Sequence, residues 1–177
     1  MRNQELYVID KKEGVELEYG KLLSMMEYTR VTTLAEVKDL TIEQLDFLIN
    51  DEANSIGMLL DHMNSVEKAY QINTFEKREY TDEDIQILNP GLELGTAARE
   101  KIKGNPVEFY LEKLEQTREK TIGTFKTLPE SWLFEQTPFW DGELTNNYFK
   151  WFHVMEDELN HRGQIRLIKK LMRKLGK

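Results

Sequence analysis

Apolar residues recur at three- and four-residue spacing through four long segments, and no segment of comparable length alternates. A period near 3.6 buries one face of a helix, so the chain is limited to packing helices against helices. The first segment spans about Val15 to Lys38, with Leu22, Met26, Thr33, Leu34 and Val37 on one side and Tyr19 and Leu23 close by. Thr41 followed by Gln44 has the form of a capping box, opening a short helix through Leu48. A second long helix is expected from Asn54 or Ser55, with the stripe Ile56, Leu59, Leu60, Met63, Val66 and Tyr70. The third follows Asn105-Pro106, read as cap then proline at the first helical position, with Val107, Leu111, Leu114, Ile122 and Phe125 inward. The fourth runs from about Asn146 to Leu175.

Between the second and third helices, Phe75 to Gly104 is charged and turn-rich (NPG, KGNP), with one or two helical turns expected around Ala97. Before the fourth, LPESWLFEQTPFWDGELTNN reads as a long aromatic loop. With no repeat and no linker, the expectation is an all-α protein: one four-helix bundle, with short extra helices and long loops, spanning residues 1–177 as a single domain.

Charge and composition exclude several functions. A net charge of −8 without a basic stripe argues against nucleic-acid binding. The absence of cysteine removes disulfides, thiolate metal sites and cysteine nucleophiles together. The N-terminal MRNQELYVIDKKEG has no apolar run of the signal-peptide kind, and no segment has the length of a membrane span. The tail from Arg166 to Lys177 is basic and amphipathic, but its apolar residues fit a core stripe. A soluble cytoplasmic protein is expected.

The polar residues of the fourth helix carry the functional information. The chain has three histidines, His62, His153 and His161. Extending the stripe Ile165, Ile168, Leu171, Met172, Leu175 upstream at about 100° per residue leads through Gln164 and His161 to Asp157 and His153. His62 sits at the edge of the second helix's stripe, one turn from Leu59 and Val66. All three histidines therefore face the bundle interior, where an unpaired set of this kind is costly. Asp157 and His161, one turn apart, can grip one divalent ion from a single helix, and His62 can complete the set from the facing helix. Nitrogen and carboxylate donors suit zinc, nickel, iron or manganese alike. His153 is the alternative third ligand. The competing reading is a set of core histidines hydrogen-bonded to Asp157, Glu67 or Asn160. Glu158 falls off the stripe and is expected to be exposed or to support a ligand.

Arg30 and Arg118 lie on the inner stripes of the first and third helices. Each needs an anionic partner there: a salt bridge to Asp157, Glu67 or Asp61, or the anionic group of a bound substrate. Phe139, Trp140, Tyr148, Trp151 and Phe152 form an aromatic group that walls a pocket mouth or belongs to the core.

The second-helix segment NSIGMLLDHMNSVEKAY and the fourth-helix HVMEDELNHRGQIR resemble the DinB/YfiT-like superfamily. MMEYTRVTTL, KDLTIEQLD and NYFKWF extend the likeness over nearly the whole chain, and HRGQI is its most specific element. The resemblance implies a four-helix bundle whose divalent metal is held by one ligand from the second helix and two from the last. His62 and His161 match two of these positions; Asp157 stands where many relatives have histidine, which leaves the third ligand between Asp157 and His153. Relatives are often homodimers. They include S-transferases that use bacillithiol, mycothiol or glutathione, and maleylpyruvate isomerase-like enzymes, and some are induced by DNA damage. The expected function is a metal-dependent, low-molecular-weight-thiol S-transferase acting on small electrophiles. The alternatives are a metal-dependent hydrolase and a non-catalytic metal- or ligand-binding stress-response protein.

Overall fold

The computed structural model describes residues 4–139 and 142–176. Four long helices build the bundle: α1 (Leu17–Val37), α3 (Ile56–Tyr70), α6 (Val107–Phe125) and α7 (Asn147–Lys174). The short helices α2 (Ile42–Leu45), α4 (Asp82–Glu93) and α5 (Gly95–Lys101) lie in the connections. Capping sets several starts. Thr41 caps α2 and Ser55 caps α3, each accepting from the backbone N–H three residues on, and the Asn146 side chain accepts from Phe149 N at the head of α7. Pro106 occupies the cap position of α6 itself, one place earlier than the first helical turn assigned to it from sequence.

Two further differences from the sequence expectation concern the connections. The region 75–104 is more helical than its turn signals suggest. Thr81 and Asp84 form a reciprocal capping box that opens α4, and Pro90 sits inside that helix. Leu88, Pro90 and Gly91 are buried where α4 packs on α3, and this packing outweighs the NPG turn signal. The aromatic loop contains a 3₁₀ turn, Glu130–Phe134, and a small antiparallel ribbon pairing β1 (Gln136–Pro138) with β2 (Leu144–Asn146).

The core divides into two apolar clusters. One contains Val37, Ile56, Leu60, Met63, Leu114, Ile165 and Ile168. The other contains Tyr19, Leu22, Met26, Phe125, Trp132, Trp151 and Met155. On every long helix a charged residue stands between them: Arg30 on α1, Glu67 on α3, Arg118 on α6 and Glu158 on α7. The order in which each helix meets the clusters gives its direction. α1 and α7 run one way, and α3 and α6 run the other. The parallel pair α3 and α6 needs a crossover, and residues 71–106 supply it.

The four charges form one buried, neutral layer. Arg30 donates from Nε to both Glu158 oxygens (3.0 and 3.2 Å) and from Nη2 to Glu67 (3.3 Å). Arg118 donates to both oxygens of Glu67 (2.7 and 3.0 Å), and its Nη2 lies 3.5 Å from Glu158. The remaining guanidinium donors reach the carbonyls of Leu114 and Met26. Glu158, expected to be exposed or to support a ligand, is instead 2% exposed and belongs to this layer. Its partners come from α1 and α6, and the apolar periodicity of α7 carries no information about them.

Burial alone would raise the Glu67 carboxyl, but the guanidiniums of Arg118 and Arg30 hold it below the usual carboxylate range. Its contribution to stability is therefore full above the unfolded value of about pH 4.3 and lost as pH falls through the folded value. Glu67→Ala, which leaves two buried guanidiniums short of an anion, is expected to cost about 3–5 kcal/mol in urea unfolding at pH 7. A loss below about 1 kcal/mol, the range of a surface pair, would contradict this reading of the layer.

Candidate metal centre between the second and last long helices

Facing Glu158 toward the bundle axis turns Asp157, one residue or about 100° away, toward α3. There the Asp157 Oδ1 atom stands 3.4 Å from His62 Nε2 and 3.3 Å from His161 Nε2. The two imidazole rings meet edge to face with centroids 4.6 Å apart. One donor atom from each of His62, Asp157 and His161 lies within 4.8 Å of the other two. Among the described residues this is the group of histidine and carboxylate side chains so placed.

The opposite nitrogen of each ring is already engaged. His62 Nδ1 lies 2.8 Å from the Gly91 carbonyl of α4. A carbonyl only accepts, so Nδ1 carries the proton there. His161 Nδ1 lies 3.3 Å from the Gln164 amide oxygen, one turn along α7. Both Nε2 atoms therefore point at the same carboxylate oxygen, and in neutral rings both present lone pairs to it. Such an arrangement is stable in two ways: with a proton between the groups, or with a cation among them. Ring nitrogens held by a carbonyl on the far side are the usual setting of histidine metal ligands. Asp157 Oδ2 is buried and accepts no hydrogen bond among the described residues, so this carboxylate has unused acceptor capacity. The donor set fits a divalent ion of the zinc, nickel, iron or manganese type.

Gly91 makes the approach of α4 to His62 possible. A Cβ at that position would lie 2.9 Å from both Asp61 Oδ2 and Ser65 Cβ, and closer still to Ser65 Oγ. No side chain fits between α4 and α3 there.

The protonation states follow from the same contacts. Burial pushes the Asp157 carboxyl up, but hydrogen bonds and charge from His161 and His62 override it and hold the group well below the usual carboxylate range. Burial likewise disfavours a charged His62, yet Asp157 and the Gly91 carbonyl raise it above its ordinary value.

The group opens on a cavity of about 450 Å³, a volume in the range of small-molecule sites. His62 and Asp157 line it, with Val66, Ala69, Leu92 and Phe139 supplying apolar wall. His153 also lines the cavity, but the structure does not gather it with the other three; its Nδ1 lies 3.4 Å from the Tyr70 hydroxyl. Arg30 and Arg118, considered from sequence as substrate contacts, do not line this cavity, and their guanidiniums are engaged by Glu67 and Glu158. Of the aromatic group, Phe139 lines the cavity, Trp151 is fully buried against Phe75 and Phe125, Tyr148 packs on the aromatic cluster, and Phe152 is exposed. Trp140 lies outside the described residues.

Lys150 was not singled out from sequence. It stands three residues before His153, so it continues the inner ladder of α7 by one more step. That spacing was the available signal. Its side chain lines the same cavity.

Fold and site together give a helical bundle in which His62, Asp157 and His161, a group able to hold a metal ion, meet between the second and last long helices beside a cavity of small-molecule size. The sequence pattern of the mycothiol S-transferase family matches residues 21–174, and the chain belongs to that family, within the DinB/YfiT-like proteins. A comparison with curated proteins finds no match. No helix among the described residues is long and apolar enough to cross a membrane.

Asp157→Asn removes the charge that favours protonated His62 and leaves the burial that opposes it. In chelator-treated protein, an NMR titration of the His62 ring should then show its pKa falling relative to the wild type. An unchanged His62 titration would mean that Asp157 does not set its protonation state.

Proposed function

We propose that this protein is a metal-dependent S-transferase that joins a low-molecular-weight thiol to a small electrophile. The observation that carries the reading is the convergence of His62 Nε2, His161 Nε2 and Asp157 Oδ1 beside a partly apolar cavity, in a chain of the mycothiol S-transferase family. A divalent ion held by these three residues would supply Lewis acidity, lowering the pKa of a coordinated thiol toward the thiolate that attacks carbon.

The chain's own residues provide the rest. His62, Asp157 and His161 would hold the ion as three protein donors, a set that leaves it able to take a thiol. The Gly91 carbonyl and the Gln164 amide hold the two imidazoles with Nε2 forward, fixing the tautomer each ring needs as a ligand. Val66, Ala69, Leu92 and Phe139 offer an apolar wall that suits the hydrocarbon part of an electrophile. Electron balance is simple: the sulfur lone pair forms the new S–C bond. The electrons of the broken bond leave with halide, or with the epoxide oxygen, which then takes up a proton. Asp157 is the proposed third ligand. His153 lines the same cavity, its Nδ1 3.4 Å from the Tyr70 hydroxyl, and is not needed as a ligand in this reading.

Elemental analysis beside a conjugation assay tests this reading. The wild-type protein is expected to carry about one divalent ion per chain, in line with a single three-donor site, and to conjugate bacillithiol, mycothiol or glutathione to monochlorobimane. His62→Ala and His161→Ala should lose most of the metal and the activity while remaining folded by circular dichroism. His153→Ala should keep the metal. Unchanged metal content in the His62 and His161 variants would remove the site. A metal-replete protein that conjugates none of the three thiols would remove the activity.

A further inference from the structure

Among the described residues, the Lys150 ammonium that lines the cavity pairs with no carboxylate. Lys150 is 3% exposed. Its ammonium donates to the Asn73 side-chain oxygen (3.2 Å) and the Pro138 carbonyl (2.9 Å). Both acceptors are neutral, and no carboxylate among the described residues pairs with it. An ammonium carries three N–H donors, so one is left unspent. Arg30 and Arg118, in the bundle interior, are both neutralised by glutamates. A buried charge without a counter-ion is costly, and here burial disfavours the charged amine with nothing opposing it.

The placement of Lys150 accounts for that cost. It lines the same cavity as His62, Asp157 and His153, on the α7 face that carries the donor ladder. Asn73, also at the cavity, is held there by the widened π-helical turn Gln71–Glu76 that continues α3. Its Oδ1 accepts from Lys150, and its amide N–H groups donate to no acceptor among the described residues. One cation next to one amide donor matches a single negative charge with two oxygens. A dianionic phosphate would be left half neutralised.

We infer that Lys150, with Asn73, is the binding site for a carboxylate of the bound small molecule, at the end of the cavity away from the histidine–aspartate group. This deepens the S-transferase reading and rests on it for the identity of the ligand. The carboxylate belongs either to the thiol or to the electrophile. In the first case the site favours an acidic thiol over the uncharged sugar thiol that gives the family its name.

Isothermal titration calorimetry on the full chain separates the two sources, using two probe pairs that differ in their carboxylates. The thiol pair is bacillithiol and cysteinyl-glucosamine, the same compound without its malyl group. The acceptor pair is phenylacetate and phenylacetamide, unreactive stand-ins for an electrophile. In the wild type the member of one pair that carries the carboxylate should bind about tenfold tighter than the member without it, and the pair showing the preference identifies the source. Lys150→Met should abolish the preference, and Lys150→Arg should retain part of it. Equal binding of the members with and without the carboxylate by the wild type overturns the inference without recourse to a variant, as does a preference that survives in Lys150→Met. Thiol conjugation without any carboxylate preference removes this inference and leaves the transferase reading. A Lys150-dependent preference in a metal-replete protein that conjugates no thiol does the reverse.

Discussion

The buried layer of Arg30, Glu67, Arg118 and Glu158 is the constraint on which the rest depends. Each long helix contributes one of its charges, and each charge is satisfied only when all four helices share one register and one rotation. Apolar packing alone specifies such a register loosely, because a sliding or turning helix exchanges one hydrocarbon contact for another. A misaligned helix here would strand a charge in the core, at a cost of several kcal/mol. The layer also aims the site. Glu158 is committed to α1 and α6, so its neighbour Asp157 is committed to α3, where His62 stands.

The donor group is polarised from outside inward. A carbonyl from the crossover helix α4 and an amide from the next turn of α7 take the Nδ1 protons, which directs both Nε2 atoms at one carboxylate oxygen. The second contact is local to α7 and the first depends on tertiary packing, since the Gly91 carbonyl reaches His62 because no Cβ intervenes. The crossover is thus part of the site as well as a connection between the parallel helices. On the other side of the donors, the cavity grades from histidine and carboxylate, along an apolar wall, to the ammonium of Lys150. A small molecule with a sulfur at one end and a carboxylate at the other matches that gradient.

Much of this was legible in the sequence because it is written in helical phase. The long helices, the caps at Thr41 and Ser55, and the inward direction of His62, Asp157 and His161 all follow from the 3.6-residue period and local capping chemistry. What was missed depends on contacts between elements. The capping box of Thr81 and Asp84 was present in the sequence, but the Asn89-Pro90-Gly91 run read as a turn, and packing on α3 reversed that reading. The burial of Glu158 depends on guanidiniums from α1 and α6, which no periodicity of α7 reports. The partners of Arg30 and Arg118 were narrowed to a short set of carboxylates that included Glu67 but not Glu158. The partners of Lys150 carry no such signal in the sequence: a lysine at a helix start ordinarily extends to solvent, whereas here its ammonium donates to the Pro138 carbonyl of the ribbon and to Asn73 of the π-helical turn.

The central claim, that one ion is held between α3 and α7 by two histidines and an aspartate, is tested most directly by anomalous diffraction from a crystal of metal-loaded protein. The account predicts a single anomalous peak about 2.0–2.2 Å from His62 Nε2, His161 Nε2 and an Asp157 oxygen. A peak coordinated by His153 in place of Asp157, or no peak between these helices, would contradict it.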